Sequence, residues 1–310
     1  MIRRGKEEKE HCTNDLVSTC PMLAASNGLR GKIPEELKAL SRLEILDLNM
    51  NGLSGSLPSF ENSFEELQHF SVAGNLLSGT IPDYSQMTKI TTLDLASNSF
   101  TSTIPGAMIQ AMPDLRELYL QENGLTGIIP SELGTSLQLE SFDISENEFT
   151  GTVPSSIVQL PNLSLFNLDN NELDGDFPFS FITSPLNRLQ GGHNRFTGSI
   201  NWKAIGKLGG TLEHLVFPDN ELGGSIGPSV GALTSLRFFD LNRNQLEGQV
   251  PTSIGLLQPL KWLALNRNFF SGTLPSEMGN LGELAVLTVD FNSFTGQVPS
   301  SLGNLRWLGK

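Results

Sequence analysis

One segment of the sequence matches the pattern of a nucleophilic serine. Gly227-Pro-Ser-Val-Gly231 fits G-x-S-x-G, in which a strained turn between a strand and a helix exposes the serine hydroxyl. Such a serine also needs a histidine base and an acid within hydrogen-bond distance. Ser229, however, occupies the same position of a repeated segment as Ser156, Ser253 and Ser301. We therefore interpret the match as coincidence and predict no catalytic residues.

The remaining residues that could bind a metal or a cofactor do not form a recognisable motif. The four histidines are His11, His69, His193 and His214, and their spacing is not that of metal ligands. No glycine-rich phosphate loop follows a predicted strand, and the signature motifs of a kinase do not occur. The sequence thus predicts a protein that is not an enzyme and has no metal or cofactor.

A second set of residues has types that suit binding. Arg243 and Arg267 occupy one repeat position, and His214, Phe238 and Trp262 occupy another, so each group stacks at about 5 Å if the repeats form a parallel sheet. Exposed aromatic rings and arginines dominate binding hot spots, and paired arginines suit a carboxylate or a sulfate. The predicted ligand-binding residues are Arg188, His193, His214, Phe238, Arg243, Trp262 and Arg267, with Arg237 and Lys261 in the same region.

An alternative interpretation of these residues stays open. Arg243 could pair with Asp219, its neighbour one repeat earlier, while the aromatic rings only cover strand backbone. The earlier repeats place acidic side chains at the same positions. They are Glu44, Asp47, Glu117, Glu122, Glu140, Asp143, Glu146 and Asp169. The predicted face is therefore acidic over its first two thirds, and basic and aromatic beyond.

The element that must position these residues is a repeat of about 24 residues. The phrase N-x-[LF]-x-G-x-[ILV]-P recurs at intervals of 23 to 26 residues, as in Asn51-Gly-Leu-Ser-Gly-Ser-Leu-Pro58. A period in this range indicates a solenoid. Before each asparagine runs L-x-x-L-x-L-x-x-N, whose alternation of apolar residues predicts a short strand with one buried face. One strand per repeat predicts a parallel sheet of twelve strands, roughly 50 Å long.

The other recurring positions of the phrase have structural explanations within each repeat. The asparagines are predicted to form a buried ladder that satisfies backbone groups after each strand. They are Asn51, Asn75, Asn98, Asn123, Asn147, Asn171, Asn194, Asn220, Asn244, Asn268 and Asn292. The glycine permits a tight turn, and the residues after the proline predict one helical or 3₁₀ turn on the outer side.

Three repeats depart from the pattern. Ser102 replaces the glycine of its repeat, and Asn201 and Gly227 replace the proline of theirs. Gly191 replaces the second apolar residue of its strand motif. We interpret these departures as decay of the repeat rather than as a binding region.

The complete phrase L-x-x-L-x-L-x-x-N-x-L-x-G-x-I-P resembles the plant-type leucine-rich repeat, from about Met22 to Leu308. The resemblance implies an α/β solenoid: a right-handed superhelix of about 12 repeats, with a parallel β-sheet on its concave face and short 3₁₀ or helical turns on its convex side. It also implies the ectodomain of a receptor-like protein or receptor-like kinase that binds a peptide, glycan or protein on the concave face, with a possible co-receptor. Two alternatives are a secreted inhibitor similar to polygalacturonase-inhibiting proteins, and the sensor part of a longer Ser/Thr receptor kinase.

The resemblance also suggests a domain organisation and a compartment. We expect a charged, disordered tail over residues 1–11, a cap-like segment over 12–26, and the array over 27–310, truncated within a further repeat. Cys12 and Cys20 are similar to the cysteine pair of the family's N-terminal cap, although the spacing is one residue longer and the usual Trp and Gly are missing. A disulfide there and two unpaired thiols remain as alternatives.

Composition limits the partners. The net charge of −13 argues against nucleic acid, which requires clustered Lys and Arg. No apolar stretch is long enough for a transmembrane segment, and the first ten residues lack the apolar core of a signal peptide. The resemblance nevertheless implies an extracellular or cell-surface protein. Asn162-Leu-Ser164 is the one N-glycosylation sequon.

Overall fold

The computed structural model describes residues 21–60, 63–180 and 184–309. The predicted tail, Cys12, Cys20 and most of the predicted cap lie outside these residues. The disulfide therefore stays a prediction.

In the described parts of the chain, twelve short parallel strands form the concave sheet, each hydrogen-bonded to the strand of the next repeat. They are β1 (Pro21–Leu23), β3 (Ile45–Asp47), β5 (His69–Ser71), β7 (Thr92–Asp94), β9 (Glu117–Tyr119), β11 (Ser141–Asp143), β13 (Leu165–Asn167), β15 (Arg188–Gln190), β17 (His214–Val216), β19 (Phe238–Asp240), β21 (Trp262–Ala264) and β23 (Val286–Thr288). The predicted twelve-stranded solenoid is thus confirmed. Strand β1 lies inside the segment predicted as a cap and pairs with β3.

The concave strands from β3 to β21 bury their central side chain, whereas Met22 of β1 and Leu287 of β23 are only partly buried. Leu46 and Leu118 are fully buried, whereas the residues on either side of them are partly exposed. This alternation is the period-two pattern of a strand with one face on the core. Apart from the buried Ser71 and Ala264, the first and third residues of these strands therefore line the concave surface.

The even-numbered strands form a second surface beside the concave sheet. They are β2 (Arg30–Gly31), β4 (Gly52–Gly55), β6 (Leu76–Gly79), β8 (Ser99–Ser102), β10 (Gly124–Gly127), β12 (Glu148–Gly151), β14 (Glu172–Asp176), β16 (Arg195–Thr197), β18 (Gly223–Gly224), β20 (Gln245–Gly248), β22 (Phe269–Gly272) and β24 (Ser293–Phe294). Strands β2 to β16 form one sheet and β18 to β24 another. The break falls in the 26-residue interval between Asn194 and Asn220.

Short helical turns cover the convex side, as the residue pattern predicts. Two are α-helical, α1 (Gly106–Gln110) and α2 (Trp202–Ile205). The 3₁₀ turns span Glu35–Ala39, Ser131–Thr135, Ser155–Gln159, Gly206–Leu208, Pro228–Ala232, Thr252–Leu256, Ser276–Asn280 and Ser300–Asn304. Most of them bury apolar side chains, such as Leu133 and Met278, against the core, whereas Glu35–Ala39 and Ser300–Asn304 bury none completely.

The asparagines join each repeat to the one before it. The Nδ2 of Asn75 lies 2.8 Å from the oxygen of Val72 in its own repeat and 3.1 Å from that of Leu48 in the preceding one. Its Oδ1 accepts the N–H of Leu53 at 3.0 Å. Equivalent bonds recur along the array, for example at Asn244 with Phe217 and Leu222. These bonds satisfy backbone groups that the end of the strand leaves without a sheet partner.

The irregular repeats contain substitutions that fit one another. Asn201, in place of proline, accepts the N–H of Ala204 and caps α2. The indole of Trp202 donates to the carbonyl oxygen of Ser225 at 2.8 Å. A Cβ on Gly227 would lie only 3.1 Å from the Trp202 side chain, so the missing proline makes room for this ring.

Gly191 has a comparable explanation. A Cβ at this position would lie 2.5 Å from Cε1 of Phe217 in the next repeat. Phe217 is fully buried and packs against Phe177, Phe179 and Phe196, with ring centroids 4.9, 5.1 and 6.1 Å away. The ring of one repeat thus fills the space that the glycine of the preceding repeat leaves. This pairing does not fit independent decay of the repeats.

Candidate functional site

The predicted ligand-binding residues fall into two separate rows on the concave side. Arg188, His214, Phe238 and Trp262 are the first residues of β15, β17, β19 and β21, and the strand register places them side by side. We call them the aromatic row. His193, Asp219, Arg243 and Arg267 follow five residues later in the same repeats, and we call them the edge row. The chain leaves the strand and turns between the two rows.

The aromatic row contains one stacked pair and one isolated ring. The rings of His214 and Phe238 stack with centroids 4.5 Å apart and planes inclined by 14°. Burial and the nearby Arg188 lower the pKa of His214, so its ring is neutral at neutral pH. Trp262 is 37% exposed and has no ring contact among the residues that the structure describes. The indole is therefore available to a ligand.

Three cations belong to the aromatic row or lie directly before one of its strands, and two of them have no ion pair among the described residues. The Nε of Arg237, one residue before β19, lies 3.0 Å from Oε2 of Glu213. Arg188 and Lys261 are exposed and have no ion pair within the described parts of the chain. Lys261 stands directly before Trp262 and was not among the predicted ligand-binding residues. Its position next to the strand motif is the signal that could have identified it.

The edge row is partly neutralised by its own members. The Oδ1 of Asp219 lies 3.0 Å from Nη1 of Arg243, and its Oδ2 lies 3.4 Å from Nδ1 of His193. For Arg243, the structure therefore shows the alternative interpretation, an ion pair along the row. Arg267 instead places its guanidinium carbon 4.4 Å from the centroid of the Phe291 ring. The predicted pair of free arginines is thus reduced to Arg267, whose charge has an aromatic neighbour.

The backbone explains why the edge row is so regular. His193, Arg243 and Arg267 have φ values of 52°, 52° and 56°, in the left-handed region. The residue before the ladder asparagine takes this conformation in every repeat, because the chain must turn there to leave the strand. A polar or charged residue at this position is therefore held at the margin of the concave face.

Many acidic residues of the concave face also hold the backbone. Asp47, Asp94, Asp143 and Asp240 each end a strand and accept the N–H of the residue two positions later, at 2.9 to 3.2 Å. This bond closes a local turn that aspartate and asparagine favour. These carboxylates therefore have a structural role in addition to their charge.

In the repeat of β15, the N–H two residues after the strand is satisfied in another way. Its strand ends in Gln190, and the N–H of Gly192 donates to Oδ1 of Asp169 in the preceding repeat, at 2.5 Å. Burial raises the pKa of Asp169 to about 6, against the opposing effect of this hydrogen bond. In the next repeat the strand ends in Val216, and the position two residues later is Pro218, which has no N–H to satisfy.

Two other predicted features lie away from the concave face. Ser229 is exposed in the 3₁₀ turn Pro228–Ala232, and this turn is not the strand-to-helix elbow that the serine motif requires. Asn162 is exposed between two repeats, where its Nδ2 donates to the oxygen of Leu137 at 3.0 Å. Glycosylation of Asn162 stays a prediction.

Comparisons with known proteins agree with the repeat pattern. The family profile described as "Leucine rich repeat" matches residues 113–173, and a shorter "Leucine Rich Repeat" profile matches residues 42–63, 89–110 and 235–257. A search of curated proteins finds no match.

Several solved structures of plant receptors have the same fold. A TDR receptor is 34% identical with a TM-score of 0.86, and the match covers 91% of this chain and 49% of that one. The plant peptide hormone receptor RGFR1, in complex with RGF2, is 32% identical with a TM-score of 0.79 and the same coverage of 91% and 49%. The Arabidopsis receptor kinase HAESA, in complex with the peptide hormone IDA and the co-receptor SERK1, is 27% identical with a TM-score of 0.62, over 93% of this chain and 61% of that one.

The chain spans about half the length of the first two of these receptors, 49% in each case. The repeated phrase, the matched profiles and the shared solenoid lead to the same assignment. The chain is a plant-type leucine-rich-repeat protein.

Proposed function

We propose that this chain is the ligand-binding part of a cell-surface receptor and that it binds a peptide or a protein on its concave face. The similar structures support this proposal, because two of them are described as complexes with RGF2 and with IDA and SERK1. A receptor of this kind recognises its ligand without transforming it, in agreement with the prediction that the chain is not an enzyme.

The observation that carries the proposal is the set of exposed side chains in the aromatic row together with Lys261 beside it. Trp262 is exposed, and Arg188 and Lys261 have no ion pair among the described residues. Trp and Arg side chains contribute much of the binding energy at protein interfaces, and Lys261 adds a positive charge beside them. These side chains are therefore the part of the concave face that is best suited to contact a ligand.

The proposal includes an extracellular location and a longer receptor. HAESA is described as a receptor kinase, and we propose that the present chain is likewise the sensor of a membrane receptor. In the described parts of the chain, none of the helices has the length and apolar character needed to cross a bilayer. Sequencing the full-length transcript tests this point: an encoded transmembrane segment supports it, and a stop codon directly after Lys310 contradicts it.

Binding on the concave face is tested with peptides selected from a random library displayed on phage. Trp262→Ala should weaken the binding of selected peptides at least tenfold, because the indole is an exposed anchor. Phe269→Ala is the matched control, since Phe269 is 63% exposed but lies on β22 of the second surface. Equal losses in the two variants, or a loss in the control alone, would contradict the proposal.

A further inference from the structure

The concave face changes sign along the array. Seven carboxylates at concave positions in the repeats of β3 to β13 form what we call the acidic half. They are Asp47, Asp94, Glu117, Glu122, Asp143, Glu146 and Asp169. No Lys or Arg occupies the equivalent positions of these repeats. Arg116, one residue before β9, is bound to Glu140 at 2.6 Å and does not neutralise the group.

The acidic half surrounds a partly exposed aromatic side chain. Tyr119 lies between Asp94 and Asp143 in the strand register, with Glu117 on the same strand. Burial raises the pKa of the Tyr119 hydroxyl, and the three carboxylates add to this effect. The ring is therefore set among negative charges, an arrangement that suits a ligand cation placed over an aromatic face.

The repeats of β15 to β21 have the opposite character, and we call them the basic half. Glu213 and Asp219 neutralise Arg237 and Arg243, which leaves Arg188, Lys261 and Arg267 in excess over Asp240. Asp240 is itself bound to the N–H and the side chain of Asn242. Trp262 and the outer side of Phe238 provide apolar surface next to these charges.

The distance between the two halves sets the length of a ligand that reaches both. Tyr119 on β9 and Trp262 on β21 are six strand steps apart in the sheet order. At a spacing of about 4.8 Å, the separation is about 29 Å. An extended peptide that crosses the strands covers this distance with about nine residues.

The change of sign discriminates between classes of ligand. A uniform polyanion, such as an acidic polysaccharide, would be attracted by Lys261 and repelled by the carboxylates further along the same groove. A uniformly basic chain would be attracted by the carboxylates and repelled by Lys261. A peptide matches both halves, because its side chains can change sign along its length.

We infer that the concave face binds an extended peptide of about nine or more residues in which an acidic segment with an apolar ring lies on the basic half and Lys or Arg side chains lie on the acidic half. This inference rests on the proposed function, since it specifies the ligand of the same face. It requires both charge signs on one ligand, at opposite ends.

The charge profile of peptides selected from a random 12-residue library tests the inference. Selected sequences should have Asp or Glu with an aromatic residue or proline at one end, and Lys or Arg eight to ten positions away. Selected peptides with a uniform charge, or with both signs mixed along their length, would overturn the inference. Tight binding of an oligogalacturonide at the same face would also overturn it.

Charge exchange shows whether each half recognises its own end of the peptide. Arg188→Glu with Lys261→Glu should weaken binding at least tenfold, and replacing the acidic residues of the peptide with lysine should restore it. Glu117→Lys with Glu122→Lys should also weaken binding, and replacing the Lys or Arg residues of the peptide with acidic residues should restore it. Lys203→Glu with Lys207→Glu is the matched control on the convex side and should leave binding unchanged.

The result also separates this inference from the proposed function. If Trp262→Ala abolishes binding but charge exchange restores nothing, the concave face binds peptides and the charge assignment fails. If neither Trp262→Ala nor any concave charge variant alters binding, the proposed function fails together with the inference.

Discussion

Ser102 takes a backbone conformation that the other repeats give to glycine. Its φ is 118°, whereas the equivalent glycines, such as Gly79 and Gly127, have values of 87° and 82°. A residue with a Cβ is strained in this region by about 1 to 3 kcal/mol. Only the missing glycine was visible in the sequence, because the strain depends on the turn that the flanking strands impose.

Ser102→Gly should therefore stabilise the protein. Relief of strain outweighs the greater flexibility of glycine in the unfolded chain, so we expect the free energy of unfolding to rise by about 1 kcal/mol. Urea denaturation measures this change. Ser78→Gly is the control, because Ser78 lies on β6 and is not among the residues with positive φ, and it should lower stability. A decrease in both variants would contradict this account of Ser102.

Asp169 should make stability depend on pH. Burial raises its pKa to about 6, above the value of about 3.9 in an unfolded chain. Between these values the unfolded chain has lost the proton and the folded protein has kept it. The contribution of Asp169 to the free energy of unfolding therefore falls as pH rises from about 4 to 6, by about 2 to 3 kcal/mol, and is level above pH 6.

Asp169→Asn removes this dependence and keeps an oxygen that accepts the Gly192 N–H. Thermal unfolding of both proteins at pH 4 and pH 7 provides the measurement. From pH 4 to pH 7, the free energy of unfolding of the variant should increase by about 2 to 3 kcal/mol relative to that of the parent protein. A constant difference between the two proteins at both pH values would show that Asp169 does not titrate in this range.

At the scale of single elements, the irregular repeats are held together by rings that cross from one repeat to the next. Gly191→Ala would place its Cβ 2.5 Å from the buried ring of Phe217. Overpacking of a filled core costs about 1 to 3 kcal/mol, and we expect a loss of this size. In a Phe217→Leu background the same change should cost less than 1 kcal/mol. Equal costs in both backgrounds, from a double-mutant cycle, would contradict the proposed contact.

The sequence predicted the elements well because the repeat constrains them all at once. Period-two alternation before each asparagine predicted the strands of the concave sheet, and the residues after the proline predicted the outer turns. The pairing of Gly191 with Phe217 was not predicted, since the two residues lie in different repeats and each looks like an isolated departure. Packing in three dimensions relates them, and a single sequence does not contain that information.

The site was predicted only in outline. Register alone placed His214, Phe238 and Trp262 in one row, because equivalent positions of a solenoid must be neighbours. Which charges are paired depends on side-chain conformation, so the choice between a free Arg243 and its pair with Asp219 needed the structure. For the same reason Lys261, which has no ion pair among the described residues, was left out of the predicted ligand-binding set.

At the scale of the whole molecule, the second surface and the convex turns bury apolar side chains behind the concave sheet, and we propose that the concave face binds the ligand. The two halves of that face differ in charge, and the aromatic row lies in the basic half. This division of roles predicts that a ligand contacts the odd-numbered strands and not the even-numbered ones.

Photo-cross-linking tests this central claim most directly. Benzoylphenylalanine is placed at position 238 in one protein and at position 269 in another, so that the same reactive group lies on the concave face or on the second surface. After irradiation with a selected peptide, mass spectrometry should find the peptide attached at position 238 and not at position 269. Attachment at position 269 with none at position 238 would contradict binding on the concave face.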